Sequence, residues 1–155
     1  MAKKIVECVP NFSEGRDQTV IDQIAAAMDA VDGATVLDVD PGAATNRTVV
    51  TVVGDPDAVC DAAFEGIHTA SELIDMAQHS GEHPRQGATD VCPFVPVSGM
   101  TMDECVALAR RLGKRVGDEL GIPVYLYEEA ASKPERKNLA KVRAGEYEGL
   151  EAKLA

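Results

Sequence analysis

Two of the three histidines in this 155-residue chain fall within the twelve-residue stretch HSGEHPRQGATD, His79 to Asp90. His83 stands between Glu82 and Pro84, and the proline ring restricts the backbone before it. An imidazole titrates near pH ~6.5 and can take and return a proton around neutrality. His83 is therefore the candidate proton carrier; the alternative is a surface histidine packed against a sheet end. His79 and His83 are four apart, a spacing that suits a metal on a helix. Gly81 and Pro84 oppose a helix there, so no metal is assigned. His68 reads as an ordinary, partly exposed helix residue.

Positive charge in the first hundred residues is scarce. Those residues hold 5 Lys and Arg against 16 Asp and Glu, and past Lys4 the cations are Arg16, Arg47 and Arg85 alone. Each has polar company: Asn11, Ser13 and Glu14 near Arg16; Asn46 and Thr48 beside Arg47; His83 and Gln86 around Arg85. A few arginines held in an acidic chain suit a small ligand bearing carboxylate or phosphate. The competing reading is a solvated rim where they offset acidic neighbours. In LDVD, Asp38 and Asp40 alternate with Leu37 and Val39, which puts the carboxylates on one strand face and the apolar pair on the other. Asp40 could then reach an imidazole or a cationic substrate; Asp40-Pro41-Gly42 could also be plain turn chemistry.

The elements that must position these groups follow from periodicity and caps. KIVECVPNF reads as a strand. Residues 18–31 form a helix with Asp17 as N-cap and Gly33 as stop. ATVLDVD and TVVTVVGD are strands joined by a hairpin at PGAATNR. Asp55 and Pro56 open a second helix, with Val59, Ala63, Ile67, Ala70 and Ile74 as its buried stripe. ATDVCPFVPVSG is a strand in which Pro93 and Pro96 demand an edge or a bulge. Thr101 and Glu104 form a capping box for a third helix, whose stripe is Met102, Cys105, Ala109, Leu112, Val116 and Leu120. IPVYLYEEA reads as a further strand and the tail as helical.

This order predicts an α+β fold: a ferredoxin-like βαββαβ sandwich with an added αβ unit and a C-terminal helix, one domain over 1–155. A doubly wound parallel sheet is the rival, and the hairpin argues against it. Following strand directions, the loops NFSEGR, PGAATNR and HSGEHPRQGA all lie at one end of the sheet. That convergence makes them a candidate site, since loops on a rigid scaffold commonly carry binding groups.

A net charge of −11 argues against nucleic acid or an anionic membrane as partner. No apolar run approaches a membrane span, and the N-terminus lacks a secretory h-region. Four cysteines without a C-x-x-C pair read as reduced, mostly buried thiols of a cytoplasmic protein.

ECVPNFSEGRD, LDVDPGAATNRTVVTVVGDP, ELIDMAQHSGEHPRQGATDVCPFVPVSG and IPVYLYEEAA, in that order, resemble the N-terminal subdomain of glutamate formiminotransferase, also found as half of formiminotransferase-cyclodeaminase. The resemblance runs from about Lys4 to the C-terminus. It implies formimino transfer between glutamate and tetrahydrofolate, the folate being a co-substrate held between two ferredoxin-like subdomains. It implies His83 as the acid/base and Asp40 as its partner. The surrounding folate- and substrate-binding candidates are Asn11, Ser13, Glu14, Arg16, Asn46, Arg47, Glu82, Arg85 and Gly87. Because the second subdomain does not follow, three readings stay open: a half working with another chain, a homo-oligomer, or a non-catalytic folate or small-anion binding module.

Overall fold

The computed structural model describes residues 3–81 and 87–143. Prolines punctuate its sheet. The first strand is interrupted at Val9-Pro10 into β1 (Ile5–Cys8) and β2 (Asn11–Phe12), and the last at Cys92-Pro93 into β5 (Thr89–Val91) and β6 (Phe94–Ser98). The two breaks meet, Val9 N donating to Pro93 O at 3.0 Å. Between them in the chain lie α1 (Gln18–Asp29), β3 (Ala34–Gly42), β4 (Arg47–Gly54) and α2 (Pro56–Leu73); α3 (Met102–Leu120) and the short α4 (Leu139–Val142) follow.

All pairings are antiparallel. β4 pairs with β3 on one side and with β1 and then β2 on the other; β6 flanks β1 and β5 flanks β2. The chain is thus α+β, with antiparallel strands and helices in alternation. Asp17 accepts from Thr19 N and Val20 N, Asp55 from Asp57 N and Ala58 N, and the Thr101–Glu104 capping box is complete. Each satisfies amides that a helix start leaves without partners.

One sheet face sends Val6, Cys8, Phe12, Val50 and Val52 into the core, against Ile24 and Met28 of α1 and Val59, Ala63 and Ile67 of α2. On the opposite face a row runs Thr35, Val53, Glu7, Val95 across the paired strands. Val95 and Val97 there are 43% and 53% exposed.

Four expectations change. Pro41 and Gly42 belong to β3, paired with Thr48 and Arg47, so the hairpin turn is confined to 43–46. A register shift between Val36 and Asp38 leaves Leu37 as an extra residue, 62% exposed, while Val36 and Val39 pack on the core. A β-bulge of this kind breaks strict alternation. In α3 the buried positions are Cys105, Leu108, Leu112 and Val116; Met102 is 48% exposed. Residues 122–127 form no strand. Val124 and Leu126 instead lie over Gly113 of α3, so the expected added strand is an extended segment packed on a helix. An apolar run has the same periodicity in either setting. The expected tail helix lies, past Arg143, outside the described residues.

Candidate functional site

The turn between β3 and β4 brings three loops together at one end of the sheet, and Asn46 is where they join. Its backbone is left-handed (φ 51), a conformation asparagine tolerates better than most residues. Its Oδ1 accepts from Gly15 N at 2.8 Å, and its Nδ2 donates to Ser80 O at 3.0 Å. The ring Nε2 of His79 lies 3.0 Å from the Asn46 carbonyl. A carbonyl can only accept, so Nε2 carries the proton.

The first loop is equally anchored. Ser13 is 1% exposed; its N donates to Ala88 O at 2.8 Å and its Oγ to Gly87 O at 2.7 Å. Glu14 Oε2 accepts from Arg16 N and Asp17 N, and Thr48 Oγ1 donates to Glu14 O at 2.5 Å. Gly15 is required by close approach, since a Cβ there would stand 2.1 Å from Gly42 O. Arg16 is exposed at this rim, with Nε donating to Ala43 O at 2.8 Å.

Arg47 turns inward. It is 7% exposed, and its Nε donates to Asn11 Oδ1 at 2.9 Å. Its guanidinium also meets Asp90 at 2.9 Å. Arg143 reaches the same Asp90 oxygen at 2.5 Å, so a fully buried carboxylate bridges two arginines. Burial pulls the Arg47 guanidinium below its ordinary value, and Asp90 acts in the opposite direction. Neither Asp90 nor Arg143 is legible as a partner in the sequence: they lie 53 residues apart, and Arg143 sits in what reads as a tail helix.

Asp40 is exposed at the end of β3, opposite Val49. Asp38 pairs with Thr51, so both aspartates lie on the sheet face away from the helices. Asp40, Thr45 and Arg47 line one shallow depression of about 130 Å³. Glu82, His83 and Arg85 lie outside the described residues, but the segment's flanks do not. Gly81 sits against the hairpin turn, where a Cβ would be 2.2 Å from Thr45 O, and Gly87 is bound to Ser13. The structure therefore brings Asn11, Ser13, Glu14, Arg16, Asp40, Asn46, Arg47 and Gly87 to one rim.

A larger hollow of about 560 Å³ lies between α3, residues 122–130 and the β5–β6 region, reaching Gly87 and Asp90, with Leu112, Val116, Ile122 and Leu126 among its apolar walls. Cys92 lines it, 3.5 Å from Cys8 Sγ. Burial, reinforced by Cys92, holds the Cys8 thiol well above its ordinary value, and burial pushes Cys60 up to about 11. Such thiols stay protonated and make poor nucleophiles. Among the described residues no helix is long and apolar enough to cross a membrane, and no three His, Cys, Asp or Glu gather as a metal set.

Comparison with known proteins adds the family. The formiminotransferase domain, N-terminal subdomain, matches residues 5–155. The chain is 58% identical over 151 residues to formimidoyltransferase-cyclodeaminase of Dictyostelium discoideum, covering 97% of this chain and 28% of that protein. It is 54% identical over 151 residues to glutamate formimidoyltransferase of Streptococcus pyogenes serotype M1, covering 97% and 50%. Its identity to glutamate formimidoyltransferase of Thermoplasma acidophilum is 57% over 139 residues, covering 90% and 46%. The chain thus spans half or less of the length of these relatives. It belongs to the formiminotransferase domain family, as an N-terminal subdomain.

Proposed function

We propose that this chain is the proton-carrying half of a formimidoyltransferase acting between N-formimino-glutamate and tetrahydrofolate. The fold supports a ferredoxin-like assignment. If β1 with β2 counts as the first strand and β5 with β6 as the last, the spatial order is last, first, third, second, which two interlocked split βαβ units produce.

In the reaction an amine of tetrahydrofolate attacks the amidine carbon of the donor. The bond from that carbon to the glutamate nitrogen breaks after a tetrahedral intermediate. The attacking nitrogen must lose a proton and the departing one must gain one. His83 carries that proton across, as base and then acid. Asp40 steadies the cationic formimino carbon with its carboxylate. Arg16, at the rim, and Arg85 meet carboxylates of glutamate or of the folate tail. Arg47 and Asn11 form the wall behind them. Tetrahydrofolate is a co-substrate, and no metal takes part.

The second half of the folate site comes from another subdomain or a second copy of this chain. The chain's coverage of 50% of the streptococcal relative supports that reading. Four free cysteines suit a cytoplasmic setting.

The observation that carries the proposal is the meeting of three loops at Asn46, both flanks of the His83 segment among them, in a chain of this family. The test is a formiminoglutamate- and tetrahydrofolate-dependent assay of the chain with its missing half, wild type against His83→Ala. A rate falling at least ~10²-fold is expected; an unchanged rate removes His83 from the chemistry. Tight folate binding with no turnover in any pairing would instead favour a binding module.

A further inference from the structure

Both ends of the segment 82–86 are held by buried side chains from other loops. On the near side, Ser80 O accepts from Asn46 Nδ2 at 3.0 Å, and His79 donates to the Asn46 carbonyl. On the far side, Gly87 O accepts from Ser13 Oγ at 2.7 Å and Ala88 O from Ser13 N at 2.8 Å. The two anchors are coupled: Asn46 Oδ1 holds the amide of Gly15, two residues from Ser13, at 2.8 Å. Ser13 and Asn46 are 1% and 8% exposed, so neither offers a surface to a ligand. Each hydrogen bond ties one loop to another.

We infer that Ser13 and Asn46 are positioning residues for the His83 chemistry, two clasps that hold His79, Ser80, Gly87 and Ala88, the flanks of the segment bearing His83. The inference rests on the proposed role of His83. Its physical basis is the steep dependence of catalysis on placement, where a displacement of about 1 Å can cost on the order of 10²-fold. Neither side chain need touch substrate for its loss to be felt in the chemical step.

Two variants test it in the active transferase. Asn46→Gly keeps a residue at ease with positive φ while removing both amide bonds, and Ser13→Ala removes the other clasp alone. Amide hydrogen exchange across 79–81 and 87–90 is expected to accelerate roughly 10-fold or more, with Val50 and Val52 unchanged. In turnover, kcat is expected to fall roughly 10-fold or more with KM for both substrates within about twofold. In a His83→Ala background neither variant should lower the residual rate further, since both act through the imidazole.

Exchange left as in wild type overturns the clasp. A rise in folate KM at unchanged kcat makes the residues ligand contacts, and full additivity with His83→Ala makes the role structural; either result overturns the inference. A His83→Ala enzyme of wild-type rate would overturn the proposed function and the positioning role with it, whereas unaltered exchange would leave the role of His83 standing.

Discussion

Arg47 and Asp90 face each other across 2.9 Å with side chains 8% and 0% exposed. Of the two rim arginines in the described residues, one is thus spent inside the wall and the other, Arg16, is left at the surface. The pair joins the hairpin to β5, and Arg143 extends the link to the end of α4. Scarce positive charge in the acidic first hundred residues therefore serves two ends: it ties the strands that carry the rim, and it meets solvent where a ligand would.

Asp90→Asn is expected to destabilise more than Arg47→Met. Removing the carboxylate leaves two arginines together without their shared counter-charge, a loss of about 3–5 kcal/mol. Removing Arg47 leaves Asp90 still held by Arg143, and the expected cost is about 1–3 kcal/mol. Urea unfolding of both variants and of the double variant measures the coupling, and equal losses would show that Arg143 does not compensate.

Asp40→Asn is expected to separate chemistry from folding. Asp40 is exposed, so unfolding free energy should stay within about 0.5 kcal/mol of wild type. The kcat for formimino transfer should fall on the order of 10²-fold as the charge facing the cationic carbon disappears. A stability loss of the same rank as the rate loss would make the role of Asp40 structural.

Thr101→Ala should cost about 1 kcal/mol, because the hydroxyl accepts from Glu104 N at 3.2 Å and completes the capping box. The thermal midpoint and the helical circular-dichroism signal should move together. No change in either would mean that Glu104 alone sustains the α3 start.

Alkaline conditions should weaken the fold. Burial raises Cys60 from 9.0 to about 11, so between those values the unfolded chain releases a proton that the folded chain keeps. The unfolded state then binds fewer protons, and stability falls as pH rises. The stability that Cys60 contributes is complete below about pH 9 and is lost as pH climbs through the folded value. Cys60→Ala should flatten the fall in urea midpoint between pH 9 and pH 11; an unaltered slope would assign it to the other buried thiols.

Helix starts were legible because caps act locally: Asp17, Asp55 and Thr101 each bond to amides two or three residues away. The meeting of three loops was legible too, since connection directions alone place them at one end of the sheet. The bulge at Leu37 was not, because alternation cannot register one inserted residue. Nor was the course of 122–127, an apolar run equally suited to a strand or to the groove beside Gly113. The burial of Arg47 is hidden in the sequence for a different reason. Its partner Asp90 lies 43 residues away, and nothing local tells a ligand-facing arginine from one neutralised within the wall.

Pro96 has a consequence beyond its place in the pairing with β1. It stands opposite Val6 in β6, whose other side carries no strand among the described residues, next to exposed Val95 and Val97. An apolar border strand of this kind invites zipper-like growth from one molecule to the next, and an imino acid in its middle has no N–H to lend to such a ladder. The chain is thereby steered away from fibrous self-addition while its exposed valine face stays free to be covered broadside.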